Sequence, residues 1–440
     1  MNMPIRFLVA LLLFISMAGY VLAAQENAPS SPVLEELIAM ALADNPELKA
    51  AEARLHLYEH KIIPAGSLND PSLSLSLSNY PVDTFAGNEY AMSGKVVKLS
   101  QDLPFPGKLA ARTEVAELQA KWYQALLAEQ QLQLTRQVKE AYYSLVYAGR
   151  AVVTTEKNMK LLDDFIRLTE ANYEVGKGQQ QDVLKAQVER AKLLDRLYSL
   201  RQQRVTSLAA FNRLVNRPSA TAVAEVSDPA LAAIGTSLAD LQKNSETLRP
   251  MYAAYRSLID RYQAQHKLAQ LDYKPDFKVG LAYVFREPNR ADSGTDFAGI
   301  EVAVNLPIFR DKRSAAVSEA EEGVRMSLAQ YDDFRNQVLF NIQNAYSQVQ
   351  TSHDQASLYK NGIIPQAGQA LESAINGYQV GKIPFLGLLD NLMTLYNFEL
   401  QYEKAVSDGQ RSLARLDAES GRANTPVKHN VSQMPGHGKE

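Results

Sequence analysis

Two histidines one helical turn apart, His56 and His60, are the first residues whose spacing could bind a metal ion. No acidic general base lies between them, so a solvated polar helix face is the plainer account of the pair. A second set of donors, His429, Met434 and His437, falls near the C-terminus, where imidazole and thioether could hold a soft cation. Donors in an aperiodic tail are more often simply solvated. The 440 residues contain no cysteine, which excludes disulfides, thiolate metal sites, a cysteine nucleophile and an N-terminal lipid on cysteine. There is no nucleophile elbow, no glycine-rich phosphate loop and no His-Glu-x-x-His, and the polar residues are spread along helices with no pocket signature. The sequence therefore predicts a protein that is not an enzyme and uses no cofactor. A net charge of −3 without a long basic tract argues against nucleic acid as a partner.

What the chain does carry is a repeated turn. Tyr173-Glu174-Val175-Gly176-Lys177 returns as Tyr378-Gln379-Val380-Gly381-Lys382, and the correspondence extends well beyond it. Pro71 answers to Pro275, Leu103-Pro104-Phe105 to Leu306-Pro307-Ile308, and Ala141-Tyr142 to Ala345-Tyr346, at nearly constant offset. So long a period means a duplicated domain rather than a solenoid. Residues 25–217 form repeat 1, with strands near 71–103 and a helical hairpin over 107–217. Residues 218–237 are a linker. Repeat 2 covers 238–421, with strands near 275–307 and a hairpin over 310–420.

The elements follow from periodicity. Pro32 to about Ile63 reads as a helix interrupted at Asp44-Asn45-Pro46. Ser72 to Ser78 alternates serine and leucine, the mark of a two-faced strand, and the tract from Tyr90 to Leu103 is its expected partner. Phe277, Val279, Leu281, Tyr283 and Phe285 share one face of a third strand; Ile300, Val302, Val304 and Leu306 share one face of a fourth. Tyr80, Tyr90 and Tyr283 near strand ends would suit an interfacial aromatic belt. No proline occurs from Gly107 to Arg217, and apolar or small residues recur there in alternating steps of four and three, a coiled-coil repeat. A continuous helix from Lys108 to Tyr173 would reach about 100 Å at ~1.5 Å per residue. Gly176-Lys177-Gly178 ends it, and a return helix resumes near Gln180 or Asp182. The second hairpin is expected from about Lys312, with a break at Gly362 to Pro365 and a turn at Gly381 to Pro384.

At the N-terminus, Arg6, the apolar run Phe7 to Met17 and the small residues up to Ala24 predict a signal peptide over 1–24. The run falls short of the roughly 20 apolar residues a membrane helix needs. In an exported chain, two-faced strands match the lipid-out, lumen-in pattern of an outer-membrane barrel, although a half-buried soluble sheet has the same period. Four strands cannot close a barrel, and open edges in lipid cost several kcal/mol per backbone group, so closure requires several chains. Residues 422–440 show little periodicity and are expected to be disordered.

Signal peptide, two strands, long helical hairpin, linker and the same again resemble the TolC-like outer membrane efflux family, over about Pro32 to Gly421. The doubled Tyr-x-Val-Gly turn, with Asp182 and Asp390 downstream, is the most specific match. Leu103-Pro104-Phe105-Pro106-Gly107-Lys108 looks like the heavy-metal (CusC/CzcC-like) branch. The resemblance implies a mainly α protein with a β-barrel part: a homotrimer sharing a twelve-strand β-barrel in the outer membrane of a Gram-negative bacterium and a twelve-helix α-barrel across the periplasm. It implies an exit duct of a tripartite pump that passively conducts substrate, here metal cations, with a periplasmic adaptor (membrane fusion) protein and an RND-type inner-membrane transporter as partners. A multidrug or type I secretion channel is the alternative cargo class, and a structural periplasmic coiled-coil protein is the alternative of a different kind. Asp182, Tyr378 and Asp390 would form the periplasmic gate, where a ring of carboxylates attracts cations. As helix N-terminal acids, Asp182 and Asp390 would instead serve the helix dipole. Val175, Gly176, Lys177, Val380, Gly381 and Lys382 would be the adaptor-docking tips. Ile383 stands where multidrug members often carry a basic residue, and Gly387 replaces a second acid, so a constriction is expected to rest on packing and on Asp390.

Overall fold

The structure, a computed structural model, describes residues 32–223, 229, 231–290 and 292–422. The expected signal peptide, and the tail with His429, Met434 and His437, lie outside the described residues. In chain order the first half comprises α1 (Pro32–Asp44), α2 (Pro46–Glu59), α3 (Ile62–Gly66), β1 (Ser72–Ser78), β2 (Gly94–Leu103), α4 (Lys108–Glu174) and α5 (Gln180–Leu214). The second half comprises α6 (Leu238–Leu248), α7 (Pro250–Leu271), β3 (Phe277–Arg286), β4 (Phe297–Val304) and α8 (Arg310–Leu358). It ends with a π-helical turn (Tyr359–Ile363), α9 (Ile364–Gln379) and α10 (Phe385–Glu419).

The interruption at Asn45 is a helix cap. Its side-chain oxygen accepts from the amides of Glu47 and Leu48 at 2.9 and 3.2 Å, and Pro46 occupies a position where no amide is missed. The same side chain donates to the Leu214 carbonyl at 2.9 Å, which pins the far end of α5 to the start of α2.

One antiparallel sheet takes the strands in the order β1-β2-β3-β4, joining the two halves through β2 and β3. Its register aligns Leu73 with Leu99, Leu99 with Leu281 and Leu281 with Ile300, so every strand turns its apolar side to one face. That face is bare: Leu75 is 74% and Ile300 79% exposed. A half-buried soluble sheet would have covered it, whereas lipid covers the outside of a barrel. The other face is polar. Lys278 pairs with Asp102 at 3.3 Å, and Lys98 crosses Gly280, where there is no side chain to obstruct it, to pair with Glu301. Strand β2 begins later than the alternation suggested, at Gly94 rather than Tyr90.

Helix α4 is continuous over 67 residues, about 100 Å at ~1.5 Å per residue. Below the sheet the long helices lie in a row, α5 on α4, α4 on α10 and α10 on α8, with α9 continuing α8 beside the lower part of α10. Nearer the sheet, α7 lies between α4 and α8. The seam between the halves is ion-paired: Arg415 donates to Glu140 at 2.6 Å and Lys157 to Glu399 at 2.9 Å. At its upper end Arg249, 8% exposed, bridges Glu129 of α4 at 3.0 Å and Glu419 of α10, with its guanidinium over the Phe334 ring.

The helix break expected at Gly362 to Pro365 is not a break. The helix runs through it with one wider turn, Tyr359–Ile363. Pro365 has no amide to give, and its ring would clash with the carbonyl four residues back in a regular α-helix. The π turn also absorbs one extra residue. The repeats are offset by 204 residues at Ala141 and Ala345, but by 205 at Gly176 and Gly381. A single inserted residue, accommodated without ending the helix, accounts for the difference.

Candidate functional site

Both long hairpins turn at the end of the rod farthest from the sheet, and they turn alike. In the first, Gly176 adopts φ 72°, and the amides of Lys177 and Gly178 donate to the Asn172 carbonyl at 2.8 and 3.0 Å. In the second, Gly381 adopts φ 73°, and the amides of Lys382 and Ile383 donate to the Gly377 carbonyl at 2.8 and 3.3 Å. Each is a left-handed C-terminal cap that satisfies the last carbonyls of its helix. A side chain added at either glycine would meet nothing within 4 Å, so the backbone angle alone requires glycine within the chain. Val175 and Val380 are each 67% exposed, and Lys177 and Lys382 are exposed beside them. The six residues expected to dock a partner thus form two matching Val-Gly-Lys tips.

Behind the tips lies a shared core. Leu162, Phe165 and Ile166 of α4, Ala186 and Leu193 of α5, and Leu371 and Ala374 of α9 pack with Phe385, Leu388 and Leu392 of α10. Tyr378 meets Phe385 edge-on, with ring centroids 5.9 Å apart. Ile383 also packs against this cluster, lying over Gly377. An isoleucine here turns inward for the same reason that a basic side chain would turn out to water.

The expected gate residues have three different settings. Tyr378 is half-buried in the tip core. Asp182 is half-buried in the first turn of α5, where the helix dipole favours an acid. Asp390 is exposed and lies beyond the first turn of α10, outside the reach of that effect. Neither carboxylate bonds another side chain among the described residues. The helices α5 and α10 match end for end at an offset of 205, which places Asp390 opposite Lys185 and Asp182 opposite Gly387 in the superposed repeats.

The Leu-Pro-Phe-Pro-Gly-Lys stretch forms a clamp at the strand-to-helix junction. Gly107 adopts φ 96°, and the buried Lys108 ammonium lies 2.9 Å from Asp276 and 3.1 Å from the Lys274 carbonyl. The Phe105 amide donates to Asp276 at 2.8 Å, so this motif of the first half grips the entrance to β3 in the second. Burial alone would raise the Asp276 carboxyl; the hydrogen bonds from Lys108 and the Phe105 amide outweigh it and hold the group below its ordinary value. His56 is exposed and bonded to Glu59 at 2.9 Å, and the described residues hold no cluster of three or more acidic, histidine or cysteine groups suited to a metal.

Known proteins share this architecture. A family model described as outer membrane efflux protein matches residues 37–217 and 240–422, the two halves in turn. The cobalt-zinc-cadmium resistance protein CzcC of Cupriavidus metallidurans is 25% identical over 393 residues, 88% of this chain and 90% of that protein. The outer membrane protein VceC of Vibrio cholerae superposes with a TM-score of 0.74 at 20% identity, over 88% of this chain and 96% of its own. The transmembrane channel CusC superposes with a TM-score of 0.72 at 16% identity, over 88% and 92%. With one family model matched by both halves, and strands, hairpins and turns recurring in the same order, the chain belongs to the outer membrane efflux protein family, whose members are channels rather than enzymes.

Proposed function

We propose that three copies of this chain form the exit duct of a tripartite pump, with metal cations as cargo. The observation that carries the duct reading is that, among the described residues, both the sheet and the row of long helices end unpartnered on either side. The sheet has free edges at β1 and β4, and the helix row has free ends at α5 and α8. A ring of copies removes all four ends, and three chains of four strands make a barrel of ordinary size. The bare apolar face then meets outer-membrane lipid, and the rod crosses the periplasm.

The tips are the docking points for a periplasmic adaptor, which links the duct to an inner-membrane transporter of the RND type. Val175 and Val380 offer apolar contact, Lys177 and Lys382 offer charge, and the open space at Gly176 and Gly381 admits a close backbone approach. Tyr378, Asp182 and Asp390 lie where the tips would converge. Three copies of Asp390 around one axis would favour cations over anions, and Lys185 at the matching height on α5 would moderate that preference. The metal assignment draws on the likeness to CzcC and on the Leu-Pro-Phe-Pro-Gly-Lys junction.

Deletion of the gene tests the cargo. Loss of the duct should sensitise cells to cobalt, zinc or cadmium ions while leaving tolerance to dyes and detergents unchanged. Sensitivity to dyes and detergents alone would assign the channel to multidrug export.

A further inference from the structure

The polar face of the sheet is not polar along its whole length. The register joins side chains into rows across that face. One row runs Ser72, Ser100, Gly280 and Glu301, and the next runs Ser74, Lys98, Ala282 and Gly299. Small and charged groups of this kind suit a surface against water. The third row differs. Ser76 is followed by Val96, Val284 and Phe297, three apolar side chains abreast near the end of the sheet away from the long helices.

One row farther out, Arg286 stands on the same face, opposite Gly94. A Cβ at Gly94 would come within 2.5 Å of Val284, so the glycine leaves the space that Val284 and Arg286 use. The Arg286 side chain is only 4% exposed, and its guanidinium lies 4.7 Å from the centre of the Phe297 ring. It donates to the Ala91 carbonyl, to the Thr295 carbonyl at 3.1 Å and to Asp292, while the Arg286 amide donates to Asp296 at 2.9 Å. One arginine thus ties the segment before β2 and the segment before β4 to the same ring. Phe297 remains 46% exposed, so the arginine fixes the ring without burying it.

We propose that Val96, Val284 and Phe297 form a second constriction, an apolar collar at the extracellular end of the duct, and that Arg286 is its positioning residue. The inference rests on the barrel reading, in which the polar face lines the lumen, and adds a barrier at the end opposite the tips. A barrel of three copies repeats the row three times round the lumen. Twelve strands lie between about eight, whose side chains fill the interior, and the roughly 16 of an open channel, so large side chains decide the bore. A narrow apolar section also resists wetting. Polar solutes outside the cell therefore meet a dry section before they reach the ion-paired rows below it.

Because the chain contains no cysteine, access to the lumen can be read by thiol labelling. Ser72 lies two rows inside the collar, about 13 Å along β1 at ~3.3 Å per residue. Ser293, exposed between β3 and β4, serves as the outer reference. Intact cells producing the full-length protein are treated with a polar maleimide too large to cross the outer membrane. Ser293→Cys should label fast, and Ser72→Cys about tenfold more slowly or less. Adding Phe297→Ser to Ser72→Cys should bring its rate close to that of the outer reference. Adding Arg286→Gln should raise it too, and Arg286→Lys, which keeps a cation over the ring, should raise it less. The native mass and strand hydrogen exchange of each variant are measured alongside, so that a rate rise from unfolding is recognised. Ser72→Cys labelling as fast as Ser293→Cys, or a slow rate that Phe297→Ser leaves unchanged, overturns the collar and leaves the duct standing. A rise with Phe297→Ser but none with Arg286→Gln removes the role given to the arginine. Failure of Ser293→Cys to label from outside overturns the barrel reading itself.

Discussion

Replacing Phe385 with alanine should loosen the second tip. The ring is 1% exposed, meets Tyr378 edge-on, and belongs to the buried cluster that also holds Leu388 and Leu392 of its own helix and the α4 residues Leu162, Phe165 and Ile166. Truncating a buried phenylalanine costs about 3–5 kcal/mol, including the cavity left behind. The edge-on pair contributes about 0.5–1.5 kcal/mol of this. Phe385 is the first residue of α10, directly after the turn, so the loss falls on the tip and not on the rod. If as little as ~1.4 kcal/mol of this loss falls on the balance between a packed and a splayed tip, the ratio of splayed to packed tip still rises about tenfold. Two assays on protein reconstituted in lipid read this out: amide hydrogen exchange over 380–392, and channel current in a planar bilayer. Exchange at the tip should rise at least tenfold while the strand amides are unchanged, and current should increase. Tyr378→Phe keeps the ring and removes only a hydroxyl that has no partner among the described residues, so it should leave both readings near wild type. Unchanged exchange and current in Phe385→Ala would refute a packing-based constriction. A current rise in Tyr378→Phe would transfer the constriction to a hydrogen bond between copies.

The turn glycines separate backbone strain from docking. Gly381→Ala should cost about 1–2 kcal/mol, seen as a lower melting temperature, because alanine is forced into a left-handed angle. Gly381→Asn tolerates that angle and should melt near wild type, yet lose adaptor capture in a pull-down where the adaptor needs the open space. Asp390→Asn should shift the reversal potential of the reconstituted channel toward lower cation selectivity; an unchanged potential would reduce Asp390 to a surface residue. Arg249→Ala strands Glu129 and Glu419 in a buried site and should destabilise the protein by about 3–5 kcal/mol in chemical denaturation, with partial recovery on adding Glu129→Gln. The lowered Asp276 carboxyl stabilises the fold above the unfolded carboxylate value of about 3.9, and that contribution fades as pH falls through the folded value. Asp276→Asn should therefore flatten the acid-side fall of the melting temperature; an unaltered slope would show that the clamp contributes nothing there.

Patterns with strong periodicity are legible in the amino-acid sequence. Serine-leucine alternation placed β1 residue for residue, the proline-free heptads placed α4, and the paired Val-Gly-Lys turns placed both tips, because each is a local signal repeated over many residues or twice over. The π turn was not legible as such. Gly362 and Pro365 look like a helix end, and only a one-residue change in the repeat offset distinguishes an end from a bulge. Ile383 and Lys108 show a second limit. Their types suggested, respectively, a missing charge and a branch marker. Their actual roles, closing the tip core over Gly377 and gripping Asp276 across the repeats, depend on contacts between residues distant in sequence. Asp182 and Asp390 each follow a turn, but superposing the two return helices sets Asp390 at the position of Lys185 and Asp182 at that of Gly387.

In the proposed function, several copies of this chain complete one outer-membrane duct. Cell fractionation followed by native mass measurement of the extracted protein tests it most directly. The expected result is outer-membrane protein with three times the mass of the processed chain. A soluble, monomeric protein in the periplasmic fraction would contradict it.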